Sequence, residues 1–217
     1  MTRPFIDSNL FEINDDLKPE LINLGPYRYL SIDNFYKNAE DIYSLFQTSW
    51  VQNWKVNEHG KNFHEYYDCR LSFPNRKYGL KNKDKTMLFL KSILRLENHS
   101  YFQISSNIFS WILPPTSNFQ FQPHQDNSIN ILVYLDKINS GGTALYEGKP
   151  TILQDESLDI KYDKQKDNLK YHVIPSKFNR CVIFDGQIYH GGHIEDHSKY
   201  SNGNWRYNTV YFLYEDK

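Results

Sequence analysis

Asn179-Arg180-Cys181-Val182-Ile183-Phe184-Asp185-Gly186-Gln187-Ile188-Tyr189-His190 is the stretch on which the reading of this chain turns. A short apolar run ends at Phe184, Asp185-Gly186 supplies a turn, and His190 then stands at the start of the next strand. The same texture extends outward on both sides. Short β-rich runs separated by turn residues occur at Phe102–Leu113, Ile129–Leu135, Thr143–Tyr146, Tyr171–Ile174, Arg180–Phe184 and Trp205–Tyr214. Many short strands at irregular spacing point to an all-β sandwich or jelly roll. Leu153–Lys170 is strongly polar and reads as an exposed insertion between strands.

The first hundred residues differ. Residues 1–35 read as a peripheral arm ending in a strand at Tyr27–Asp33, after the Gly25-Pro26 turn signal. Asp33 or Asn34 is positioned to cap a helix in which Phe35, Ala39, Ile42, Leu45 and Phe46 recur at helical spacing. The segment 48–82, with Trp50, Trp54 and Arg70–Pro74, reads as loop with short strands. A second helix is expected over about 84–97, burying Met87, Leu88, Ile93, Leu94 and Leu96. Helices first and strands second predict a mainly β fold with flanking helices. One domain spans 1–217, with arm and helices in 1–99 and the β core in 100–217.

Composition removes several function classes. The chain has 217 residues and a formal net charge of -1, which leaves no basic footprint for nucleic acid or an anionic membrane. No run approaches the roughly 20 apolar residues needed to span a bilayer. Met1–Phe5 lacks the long apolar core of a signal peptide, so a cytoplasmic setting is expected. Cys69 and Cys181 form no CxxC pair and read as small structural residues. The oligomeric state is not legible.

Four elements carry chemistry. His124 and Asp126, in Pro123-His124-Gln125-Asp126, fall on one face of an extended strand, about 7 Å apart along it. An imidazole and a carboxylate make two-thirds of the facial triad of non-haem iron(II) oxygenases, and His190 from a distant strand is the candidate third ligand. Arg206 opens the apolar strand Trp205–Leu213, where an unpaired guanidinium is costly. A bound dicarboxylate would resolve that cost through paired, charge-assisted hydrogen bonds. Asn208 shares the face of Arg206, and Tyr134 shares one with Asn130 and Leu132, so its hydroxyl is placed to assist. Gly141-Gly142 permits a turn with positive φ nearby. His59, His64, His99 and His172 read as structural, as do Trp50 and Trp54, either of which could also line a substrate pocket; His197 reads as a surface residue, and Asn107, Trp111 and Gln122 as weaker pocket candidates.

The ordered series His-x-Asp, tyrosine strand, Gly-Gly-Thr, Phe184-x-Gly186 with His190, then Arg206 resembles the 2-oxoglutarate/iron(II) oxygenases, closest to their prolyl-hydroxylase-like branch. The resemblance covers about residues 100–214. It implies a double-stranded β-helix (a cupin-like jelly roll) with the N-terminal helices packed on one side. It also implies His124, Asp126 and His190 as iron ligands, and Arg206 with Tyr134 on the distal carboxylate of 2-oxoglutarate. Iron(II), 2-oxoglutarate and dioxygen are the implied cofactors, and hydroxylation of an amino acid, small metabolite or peptidyl side chain the implied reaction. Asp126 argues against halogenation, which in this family needs a small residue there. Two features depart from the pattern. The 16-residue step from His190 to Arg206 is wide and leaves His193 as a rival third ligand, and Asn208 stands where Ser or Thr is usual. The competing classes are a cupin-type protein holding another metal and an inert binding domain of the same fold.

Overall fold

The computed structural model describes residues 8–47, 57–58, 65–66, 85–86, 88–90, 92–94, 101–109, 123–154, 160–162, 168–200 and 206–214. They are mainly β. Strands β1 (Glu20–Leu24), β2 (Tyr27–Ile32), β5 (Tyr101–Phe109), β6 (Ile129–Tyr134), β11 (Arg180–Asp185) and β13 (Arg206–Tyr214) form one antiparallel sheet in the order β1-β2-β11-β6-β13-β5. A second sheet orders β7 (Gly141–Tyr146), β10 (Tyr171–Pro175) and β12 (His190–Ile194) as β10-β7-β12. From β6 onward the core strands change sheets: β6 to β7, β10 to β11, β11 to β12 and β12 to β13. That alternation winds the chain into a double-stranded β-helix. The small ladders β3–β4 (Asn57–Glu58 with Glu65–Tyr66) and β8–β9 (Ile152–Gln154 with Ile160–Tyr162) lie outside both sheets.

Strand period sorts the core into two clusters. On β6, Leu132 and Tyr134 join Val182 and Phe184 of β11, Val210 of β13, Leu145 of β7 and Ile174 of β10 between the sheets. The alternate residues Ile131 and Val133 join Cys181, Ile183, Tyr207 and Tyr211 on the other face of the large sheet. Ile42 of α1 (Ala39–Phe46) and Leu90 of a second helical stretch belong to that outer cluster. Among the described residues no helix is long and apolar enough to cross a membrane.

Several expectations needed adjustment. The helix does not begin after Asp33 or Asn34: Asn34 takes a left-handed conformation (φ 55°), and α1 starts behind Asn38, whose side chain makes no cap bond. Phe35 is buried but precedes the helix. In the second helical stretch Ile93 and Leu94 pack against the core as expected, but Leu88 is exposed and Thr86 and Leu90 are buried in its place. Met87 and Leu96 lie outside the described residues. The arm contributes β1 as well as β2, and β2 pairs with β11, so residues of 1–99 extend the sheet built by 100–217. The polar insertion carries the β8–β9 ladder. Trp50, Trp54, His59, His64, Cys69, His99, Trp111 and Gln122 lie outside the described residues.

Asn179 ties the amino-terminal region to the core. Its own φ is 58°, a left-handed conformation that Asn tolerates better than most residues. Its side chain pairs like a strand with the Tyr36 backbone: Oδ1 accepts from Tyr36 N and Nδ2 donates to Tyr36 O, both at 2.9 Å. Its backbone carbonyl accepts from Phe35 N at 3.0 Å, and its N–H donates to Tyr134 O at 2.8 Å. Asn179→Ala leaves Tyr36 N unpaired, leaves Tyr36 O with only the longer 3.3 Å bond from Asn14 Nδ2, and strains the turn, so we expect about 2 kcal/mol of lost stability in denaturant unfolding.

Candidate metal centre

Two backbone hydrogen bonds build the site. His124 N donates to His190 O and His190 N donates to His124 O, each at 2.9 Å, which makes a single antiparallel bridge at the edge of the smaller sheet. One step along, Asp126 N donates to Gly186 O at 2.8 Å, and Gly186 N donates to Ser128 O at 3.0 Å. The Pro123–Asp126 motif and the turn after β11 are thereby stitched together. The ligand-type atoms of His124, Asp126 and His190 all lie within 4.8 Å of one another. Asp126 Oδ2 is 3.2 Å from His190 Nε2 and 3.8 Å from His124 Nε2.

The protonation geometry suits a cation. His190 Nδ1 is 2.8 Å from Ile188 O, so it must donate there, and Nε2 of the neutral ring carries the lone pair. That lone pair faces Asp126 Oδ2. Such an anchored imidazole beside a carboxylate is the arrangement by which proteins orient metal-binding histidines. Burial works against ionisation of Asp126, while the Asn130 amide, donating to Oδ2 at 2.7 Å, favours the charged form, and the carboxyl lies below its ordinary value. Side-chain exposure rises from 7% at His190 through 24% at Asp126 to 54% at His124, so the centre opens on the His124 side. Phe184 closes the other side, its ring edge-on to His190 at 5.0 Å.

Arg206 lies buried at the start of β13. Nη2 donates to Gly142 O at 3.0 Å and Nη1 to Asn208 Oδ1 at 3.4 Å, while Nε has no partner among the described residues. Among the described residues no carboxylate lies within ion-pair distance of it. The Tyr134 ring lies 5.9 Å from the guanidinium carbon, and the Tyr134 hydroxyl shares a 2.8 Å hydrogen bond with Thr143 Oγ1. The Gly141-Gly142 pair lies within β7 rather than in a turn. A Cβ on Gly142 would meet Ile174 O at 1.9 Å, so only glycine lets β10 approach there.

No family model matches the chain, and no curated protein matches it. Solved structures do. The non-heme alpha ketoglutarate dependent epimerase SnoN from nogalamycin biosynthesis aligns with TM-score 0.53 and 10% identity over 87% of this chain and 78% of its own. The carbocyclase SnoK from the same biosynthesis aligns with TM-score 0.51 and 11% identity over 87% and 79%. A prolyl-4-hydroxylase from Pseudomonas putida aligns with TM-score 0.46 and 13% identity over 94% and 97%. The chain has the fold of the 2-oxoglutarate-dependent oxygenases.

Within that fold, the structure brings His124, Asp126 and His190 together and leaves His193 out. Side chains alternate along β12, so His193 points to the opposite face from His190, where its ring lies 5.7 Å from Tyr171. Tyr134 and Asn208 flank Arg206 as their strand faces required. His172 is occupied structurally by Glu147, at 2.5 Å. Sequence reasoning did not assign roles to Asn130, which touches both Asp126 and His190, or to Thr143, which braces Tyr134. The inward face shared by Asn130 and Tyr134 was the available signal for the first.

Gly186 tests the stitch between the two motifs. A Cβ there would stand 2.5 Å from Ser128 O and 2.9 Å from Asp126 O, both backbone atoms that cannot move without shifting Asp126. Gly186→Ala should cost about 1–3 kcal/mol in thermal or denaturant unfolding and weaken divalent-metal binding in the same protein.

Proposed function

We propose that this chain is an iron(II)- and 2-oxoglutarate-dependent oxygenase that hydroxylates an amino acid, another small metabolite or a peptidyl side chain. The observation that carries the reading is the pairing, inside one β-helix, of a convergent His-Asp-His set with a buried arginine whose Nε has no partner among the described residues. The similar folds of SnoN and SnoK support it. SnoN has been crystallised with Fe3+, alpha ketoglutarate and nogalamycin RO.

His124, Asp126 and His190 would hold the iron, and Arg206 would grip the far carboxylate of 2-oxoglutarate. Bound together, these groups supply the oxidising chemistry: dioxygen is consumed, the keto acid is converted to succinate and carbon dioxide, and a substrate C–H becomes C–OH. The protein positions and shields. Ile188 O fixes the His190 tautomer, and Phe184 packs the buried side of that ring. Asn208 Oδ1 and Gly142 O hold two guanidinium nitrogens of Arg206, leaving Nε as the donor in search of an acceptor. Tyr134, braced by Thr143, walls the guanidinium with its ring. Substrate would approach on the exposed His124 side. The N-terminal helices would support the core from the outer face of the large sheet.

Anaerobic addition of iron(II) and then 2-oxoglutarate should produce a weak visible charge-transfer band, and a metabolite and peptide screen should release succinate. No band combined with tight zinc binding would sink the oxygenase reading in favour of a cupin-type metal protein. His190→Ala should abolish metal binding. Arg206→Leu should leave metal binding intact while weakening 2-oxoglutarate about 100-fold, since losing a buried charge-assisted contact costs about 2–5 kcal/mol. Metal titration and co-substrate titration of the two variants separate the roles.

A further inference from the structure

Asn130 stands at an unexpected position. It lies on β6 in the middle of the large sheet, opposite Phe184 on one side and Phe212 on the other. Its neighbours along the strand are Ile129, Ile131, Leu132 and Val133. It is almost completely buried, 2% exposed. Asn is a poor strand residue, and a buried amide is costly unless every polar atom is engaged. A local conflict of this kind points to a task at the site rather than to packing.

The amide contacts define the task. Nδ2 donates to Asp126 Oδ2 at 2.7 Å and lies 3.0 Å from His190 Nε2. Because His190 Nδ1 is committed to Ile188 O, Nε2 of the neutral ring is an acceptor, and the second hydrogen of the same NH2 group satisfies it. Without that group, two lone-pair-bearing atoms would face each other at 3.2 Å in a half-buried site. Asn130 Oδ1 accepts from Ser128 Oγ at 2.7 Å, which turns the carbonyl end away from the ligands. Reversing the amide would set its oxygen against the carboxylate and the imidazole lone pair together, so this orientation is the stable one.

We propose that Asn130 is a positioning residue for the metal centre. Its NH2 group donates to Asp126 Oδ2 and His190 Nε2, two atoms to which a cation would bind, and keeps them converged before metal arrives. It then yields His190 to the metal while retaining its hold on Asp126, which restricts the carboxylate to one-oxygen binding. Ser128 sets the amide's direction. This rests on the reading of His124, Asp126 and His190 as ligands.

Cobalt(II) titration of the metal-free protein, followed by visible absorption, tests it with no need for turnover. Asn130→Ala should raise the cobalt(II) Kd about 10–100-fold, the usual effect of removing an outer partner of a ligand. At saturation its visible band should weaken, because a carboxylate free to bind through both oxygens raises the coordination number. Ser128→Ala should raise the Kd about fivefold, the equivalent of one ordinary hydrogen bond. Wild-type affinity and spectrum in a folded Asn130→Ala protein overturn the role of Asn130 while leaving the metal site standing. If Asn130→Ala does not fold, unchanged affinity in Ser128→Ala overturns it. Absence of cobalt(II) binding by the wild-type protein overturns the ligand assignment itself, and this inference with it.

Discussion

The site depends on the paired backbone hydrogen bonds between His124 and His190. They join residues 66 positions apart in the chain, and the entropy of that closure must be met by the sheets on either side. Because main-chain atoms make the bonds, two candidate ligands are fixed by strand pairing and not by the packing of their own side chains. The Asp126–Gly186 and Gly186–Ser128 bonds extend the same zipper and set the third candidate relative to the first two. Ligands carried on paired strands are held more exactly than ligands on loops, which is the requirement of a centre whose three donors must share one cation. The smaller sheet thus continues through a single bridge where a fourth strand would stand, and the polar side of that bridge is left open to solvent.

The triad and the Arg206 end of the β-helix differ in kind. At the triad, exposure grades from a sealed His190 to an open His124. At Arg206, among the described residues, neutral acceptors meet the guanidinium: a carbonyl of the glycine pair and an asparagine oxygen. Tyr134 belongs to the second end and Asn130 to the first, four residues apart on β6, or about 13 Å along the strand. One strand therefore spans both ends, with its inward residues addressing each in turn.

What was legible in the sequence followed from strand period and from charge. His124 and Asp126 share a face because they are two residues apart, and Arg206 drew notice because a cation in an apolar strand needs a partner. The six β-rich runs appeared where expected within the described residues. What was not legible depended on contacts between distant residues. The choice of His190 over His193 required the register of β12, since both histidines sit in the same short strand and differ only in the face they occupy. Asn130 could be placed on the right face, but its partner His190 is 60 residues away. The start of α1 was misplaced because Asn34, a good cap by type, uses its tolerance for the left-handed region instead. The exposure of Leu88 in the second helical stretch has a similar origin: helical spacing admits more than one face when apolar residues crowd it, and packing on the core selects the face of Leu90, Ile93 and Leu94.

Charge placement favours a metal with an anionic co-ligand over a metal alone. Asp126 is the one carboxylate of the triad; Asp136 is also buried, but Tyr200 and the Ile138 and Asn139 N–H groups engage it. A divalent cation held by one carboxylate and two imidazoles would keep positive charge in a partly desolvated site, and Arg206 adds a buried guanidinium. A dicarboxylate reaching from the triad toward Arg206 would oppose both and would give Nε of the arginine an acceptor. The guanidinium nitrogen without a partner among the described residues and the single carboxylate of the triad are thus two sides of one requirement, which the two separated carboxylates of 2-oxoglutarate would meet.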